Sequence, residues 1–125
     1  MRFAETDAQG VAHHASYVVW FELARVAYLA EYAGGYNALR DQGVEALTTG
    51  VQVIYHAPAR FDDVLRVHLR CAEMRRVRFR FEYVVERDGV RLADGWTMHA
   101  CVGARTLRPQ RVPEWFRDAV ARAEA

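Results

Sequence analysis

Between Ala15 and Ala33 the chain reads ASYVVWFELARVAYLAEYA, without a glycine or proline. Alanine and leucine at this density favour helix. Val18, Val19, Phe21, Leu23, Val26, Ala27, Leu29 and Ala30 spread apolar surface around most of the circumference. A helix that is apolar nearly all round has to be covered on most sides. This demand constrains the fold more than any other feature, because the rest of the chain must supply the cover. Ser16 is a candidate N-cap, and the Gly34-Gly35 pair stops the helix. A short helical turn over Tyr36 to Gln42 is expected before Gly43.

Downstream the apolar period changes from helical to two. In TTGVQVIYHAPARF, Val51, Val53 and Tyr55 alternate with Gln52, Ile54 and His56, and Pro58 marks a strand edge or bend. Phe61-Asp62-Asp63 reads as a turn. Val64 to Cys71 sets Leu65, Val67, Leu69 and Cys71 against Arg66, His68 and Arg70. Val77 to Val85 alternates Val77, Phe79, Phe81, Tyr83 and Val85 with Arg78, Arg80 and Glu82. Arg87-Asp88-Gly89 is a hairpin turn. Val90 to Val102 follows as a long strand, with Val90, Leu92, Trp96, Met98 and Ala100 expected on its apolar face. Pro113 at a first helical position, then Trp115, Phe116 and Val120, mark a C-terminal amphipathic helix. Residues 2–5, RFAE, are a stub strand. The expected plan is α+β: stub strand, buried helix, four strands in meander order, short helix. An antiparallel sheet packed around the one apolar helix is the simplest arrangement. So short a chain cannot cover both faces of that sheet, and self-association is expected.

Composition narrows the function classes. The 125 residues fit one domain, 1–125, with 17 basic and 16 acidic residues and a formal net charge of +1. That balance gives no general attraction to nucleic acid or membranes. Every basic residue is arginine. Cys71 and Cys101 are far apart and read as reduced strand residues. His56, His68 and His99 lie on strands with no partner at ligand spacing, so no metal site is expected. The main apolar run, Tyr17 to Ala30, holds Glu22 and Arg25 and is too short and charged to span a bilayer. With no secretory signal pattern at the start, a cytoplasmic protein is expected.

Chemistry concentrates in ETDAQGVAHHASY, Glu5 to Tyr17, at the entrance to the long helix. A helix N-terminus offers unpaired N–H groups and the positive end of its dipole. Such donors can stabilise an oxyanion on a carbonyl under attack. Asp7, a few residues upstream, can reach the same place if the loop folds back. There it could act as general base or as nucleophile. The residues alone equally allow a capped polar turn with locally bonded histidines.

The stretch AETDAQGVAHHASYVVWFELAR closely resembles the opening of hotdog-fold acyl-CoA thioesterases of the 4-hydroxybenzoyl-CoA thioesterase type. It is nearest the branch associated with the Tol–Pal cell-envelope system, through Thr6-Asp7-Ala8, Gly10-Val11, His14-Ala15, Tyr17, Phe21-Glu22 and Ala24-Arg25. The likeness continues through YHAPARFDD, Tyr55 to Asp63, and EMRRVRF, Glu73 to Phe79. The resemblance implies a five-stranded antiparallel sheet wrapped around a long central helix. It also implies dimers joined at their sheet edges, often paired into tetramers. It implies hydrolysis of an acyl-CoA thioester without a cofactor, coenzyme A being part of the substrate. Asp7 falls on the family's catalytic aspartate, and the amide of His14 where the family supplies an oxyanion donor. The His14 ring matches a histidine of the Tol–Pal branch. Gly10 is a candidate substrate-binding residue, Tyr17 and Tyr55 could line the acyl tunnel or simply belong to the core, and Glu22 falls at an acidic helix position facing the acyl pocket. A local pair between Glu22 and Arg25 is the competing reading. Arg75 and Arg76 match an arginine pair used for coenzyme A, although Val77 stands where a lysine follows. Arginine forks suit phosphates, while a plain basic strand face remains the alternative.

Family members carry a full first strand where only six residues precede Asp7 here, so an upstream in-frame start is expected. Two rival functions share the same site. One is a thioesterase acting on acyl-carrier protein, met by Arg75, Arg76, Arg105, Arg108 and Arg111. The other is a non-catalytic acyl-thioester binding protein. A hotdog dehydratase fits the motif less well.

Overall fold

A computed structural model describes residues 14–35 and 37–125. The expected stub strand at 2–5 lies outside the described residues, as do Asp7, Gly10 and His13. The elements are α1 (His14–Tyr32), α2 (Ala38–Asp41), β1 (Val44–Tyr55), β2 (Arg66–Met74), β3 (Arg78–Arg87), β4 (Val90–Gly103) and α3 (Glu114–Glu124). The described strands form one antiparallel sheet of four in the order β1-β4-β3-β2.

This order corrects the expected meander. β2, β3 and β4 follow one another as hairpins, but β1 pairs with β4 at the opposite edge from β2. The reason lies in residues 56–65, which pass Pro58 and a turn at Asp62 and are too long for a tight hairpin. The β3–β4 connection is short. Asp88 and Gly89 both have positive φ, 51° and 80°, as a two-residue primed turn requires.

β3 carries the inner face as its sequence predicts: Phe79, Phe81, Tyr83 and Val85 are all buried. β4 does not. A register shift opposite Val85 and Glu86 turns both Leu92 and Ala93 inward, and both are fully buried. Beyond that bulge the parity reverses. Thr97, His99 and Cys101 face the core, while Trp96, Met98 and Ala100 are only partly covered.

α1 lies on this inner face. Phe21 stacks flat on Tyr83 at 4.2 Å, and Tyr28 meets Phe81 edge-on at 5.2 Å. The helix has begun by His14, so Ser16 sits inside it, buried, rather than capping it. Gly34 and Gly35 do end it, with φ of 80° and 107°. The cover over α1 is partial. Tyr17, Trp20, Phe21 and Tyr28 are buried, but Val18, Val19, Leu23 and Tyr32 are exposed.

α3 closes the far end, burying Phe116, Ala119 and Val120; Pro113 is its N-cap, one position earlier than expected. Glu124 ties three elements together. One carboxylate oxygen accepts the Tyr28 hydroxyl at 2.7 Å and the Cys71 amide at 3.0 Å.

The seat of α1 depends on Gly95. A Cβ there would stand 2.0 Å from the Gln52 carbonyl oxygen and 3.1 Å from the Phe21 ring. Gly95→Ala must therefore move either β1 or the helix. The expected loss is about 3 kcal/mol, at the upper end of overpacking costs. Urea unfolding checks this, as a lower midpoint at unchanged slope.

Candidate active site at the start of the long helix

A helix's first turn carries backbone N–H groups that lack acceptors within the helix, and the described part of α1 begins at His14. His14 is exposed at that position. Its ring stacks on Tyr55 at 4.5 Å, and its carbonyl accepts the Tyr55 hydroxyl at 3.3 Å. Tyr17, one turn further on and buried, meets the same Tyr55 ring edge-on at 4.9 Å. The Tyr17 hydroxyl hydrogen-bonds the Ala59 backbone, and burial pushes its pKa up. His14, Tyr17 and Tyr55 therefore form one aromatic wall. It is fixed because the last residue of β1 reaches the first turn of α1.

The other expected residues lie elsewhere. Glu22 is exposed and lines a cavity of about 220 Å³ between α1 and the sheet, together with Arg25. The two make no ion pair among the described residues. Arg75 and Arg76 sit at the β2–β3 turn. With Arg111, Arg117 and Glu114 they line an open groove of about 740 Å³. The groove is built by α3 and the segment before it: the Val112 amide donates to the Arg76 carbonyl at 2.8 Å, and Arg117 donates to the Arg75 carbonyl. Arg117 has no cue in the sequence beyond an amphipathic helix.

The groove and the His14 wall stand at opposite ends of the sheet. The Cys101 amide bonds the Val77 carbonyl beside the groove, and Cys101 faces Ala46 near the start of β1. His14 packs on Tyr55 at its end. Twelve residues of β1 span roughly 36 Å at about 3.3 Å each. One copy of the chain does not bring these two groups together.

The core also holds a polar chain with no sequence cue, because the β4 bulge sets its parity. The Tyr83 hydroxyl lies 2.6 Å from Thr97 Oγ1, which lies 2.8 Å from His99 Nε2. Nδ1 of the same ring is 3.3 Å from Thr48 Oγ1. Burial, followed by the charge of Arg25, pulls the His99 pKa down to about 3. The folded chain thus keeps His99 neutral where the unfolded chain takes a proton, near about pH 6.5. Stability is lost as pH falls through the window from about 6.5 to about 3. Denaturant titrations across that window should show a fall of a few kcal/mol, with a flatter profile in His99→Gln.

Among the described residues no cluster of His, Cys, Asp and Glu is placed to hold a metal ion. None of their helices is long and apolar enough to cross a membrane.

The family model of the thioesterase-like superfamily matches residues 1–120. The chain belongs to the thioesterase-like superfamily. Among curated relatives, the acyl-CoA thioester hydrolase YbgC of Escherichia coli is 31% identical over 90% of this chain and 84% of its own length. A 1,4-dihydroxy-2-naphthoyl-CoA hydrolase of Synechococcus elongatus is 28% identical over 94% and 88%. Among solved structures, a hypothetical protein of Thermus thermophilus superposes with a TM-score of 0.90 at 39% identity, covering 97% of this chain and 92% of its own. The DHNA-CoA thioesterase of Staphylococcus aureus superposes with a TM-score of 0.88 at 27% identity, over 99% and 86%. The match to this thioesterase-like family, over residues 1–120, includes the opening that holds Asp7.

Proposed function

We propose that this chain hydrolyses an acyl-CoA thioester to the free acid and coenzyme A. The observation that carries the reading is the first described turn of α1 at His14, walled by Tyr55 and Tyr17, in a chain whose relatives are named acyl-CoA thioester hydrolases. In this reading the thioester oxygen points at the His14 amide, where the helix end stabilises the charge that builds as the carbonyl becomes tetrahedral. Asp7 acts from the other side. As a base it takes a proton from the attacking water. As a nucleophile it forms a mixed anhydride, expels the coenzyme A thiolate, and is freed by water. No cofactor or metal takes part.

The complete site is formed by two copies. β1 is an edge strand among the described strands, and its Val51, Ile54 and Tyr55 are exposed, as are Val19 and Leu23 of α1. Antiparallel pairing of β1 with β1 of a second copy sets the Val44 end of one against the Tyr55 end of the other. The arginine groove of one copy then stands beside the His14 wall of its mate. Four arginines there suit the phosphates of coenzyme A, since a guanidinium meets phosphate oxygens with paired donors. In this hotdog arrangement dimers pair further into tetramers.

Thiol release from a panel of acyl-CoAs tests the reading. Asp7→Asn and Asp7→Ala should lower kcat/KM by at least about 10²-fold with folding and oligomer unchanged, the usual loss when a positioned base is removed. Activity surviving in Asp7→Ala would place the chemistry elsewhere. Activity confined to acyl-carrier-protein substrates would change the substrate class. Single turnover in labelled water separates the routes, since label enters the Asp7 carboxylate only through an anhydride.

The groove has its own test. Arg75→Ala with Arg76→Ala should raise KM about tenfold or more for acyl-CoA, the loss of two charge-assisted contacts. It should leave KM unchanged for acyl-pantetheine, which lacks the nucleotide phosphates.

A further inference from the structure

The polar chain under α1 has a direction, and the direction ends in the 220 Å³ cavity. It starts at Arg25, whose guanidinium acts on the Tyr83 hydroxyl. A guanidinium has donors and no acceptor, so the Tyr83 oxygen rather than its proton faces it. The Tyr83 side chain is buried, and its own proton has Thr97 Oγ1 as acceptor, 2.6 Å away. Thr97, having accepted, passes its proton to His99 Nε2 at 2.8 Å. A neutral imidazole that accepts at one nitrogen donates at the other. His99 therefore donates from Nδ1 to Thr48 Oγ1 at 3.3 Å. The Thr48 hydroxyl is left with a proton to give. Thr48 lines the cavity, along with Glu22, Arg25, Phe79, Phe81 and His99.

Arg25 adds donors at the same place. It lines the cavity and takes part in none of the ion pairs among the described residues. Both ends of one hydrogen-bonded chain thus turn N–H or O–H groups toward a space with phenylalanine walls. At about 30 Å³ per water, 220 Å³ holds roughly seven waters' worth of ligand. Pairing of β1 between two copies brings the His14 end of one beside the Val44–Thr48 end of the other, over the mouth of this cavity.

We infer that the cavity receives the far end of the acyl group, and that the Thr48 hydroxyl selects there for an oxygen acceptor, in the simplest case a keto group. The inference rests on the thioesterase reading above. A pocket that hydrogen-bonds its ligand discriminates against the analogue lacking the partner more sharply than an apolar pocket rejects a missing methylene.

Matched thioesters test it: hexanoyl- and decanoyl-CoA against their counterparts with a keto group at the penultimate carbon. Wild type, Thr48→Val and Thr48→Ser are compared by the ratio of kcat/KM within each pair. Wild type should favour the keto member by about tenfold at one chain length or both, as one well-made buried hydrogen bond gives. Thr48→Val keeps the shape without the hydroxyl and should bring the ratio within about twofold of unity. Thr48→Ser should retain the preference. A ratio near one in wild type, or a preference that survives in Thr48→Val, overturns the inference. If no thioester is hydrolysed, the thioesterase reading fails on its own. Dissociation constants for the matched amide analogues, with nitrogen in place of the thioester sulfur, then decide the cavity's preference by the same ratios.

Discussion

The close seat of α1 on the sheet is the constraint on which the rest depends. Phe21 stacks on Tyr83 because β4 has no side chain at Gly95, where a Cβ would strike the Gln52 carbonyl and the Phe21 ring. Stacked aromatic pairs contribute about 0.5–1.5 kcal/mol beyond the area they bury. Their larger effect here is positional. With Phe21 fixed, Tyr17 lies one turn earlier against Tyr55, and the helix starts beside the end of β1. With Tyr28 fixed two turns later, Glu124 can hold helix, β2 and α3 through one carboxylate oxygen. The same contact sets Arg25 over the Tyr83 hydroxyl and so orients the buried polar chain.

Much of this fold can be read from local pattern. β3 shows clean alternation because every inward residue is a large hydrophobe, and the Asp88-Gly89 turn is a backbone necessity. The long helix and its glycine stop are equally plain. The reading fails where the decisive fact is not local. Nothing in residues 44–55 says that β1 pairs with β4 instead of β2. One bulge in β4 reverses the faces of everything after it, and the core accepts Thr97 and His99 while Trp96 is left half-covered. A polar pair can occupy the core only because each member finds a partner, and partners are tertiary facts.

The site divides in the same way. His14, Tyr17 and Tyr55 are brought together because the end of β1 reaches the first described turn of α1. Arg75 and Arg76 match a family motif but sit at the other end of β1. Their groove depends on Arg111 and Arg117, about forty residues later in the chain. No spacing rule could have joined those four. Glu22 and Arg25 have the i,i+3 spacing of a helical ion pair, yet they line a cavity without pairing. The polar chain leading from Tyr83 to Thr48 accounts for part of that, because Arg25 already has a use there.

The helix also bears on the proposed second copy. Its sequence demands cover on nearly every side, and the sheet and α3 supply about half of it. Leu23 remains 58% exposed, and Val19, Val51 and Ile54 are open as well. These residues belong to α1 and β1, and β1 is an edge strand among the described strands. The two halves of the candidate site, an oxyanion corner and an arginine groove, lie at opposite ends of that same edge. A two-fold axis across β1 would cover the helix, pair the strand and join the halves in one step. Stability and catalysis would then share one requirement, with the same contact completing the core and joining the proposed site.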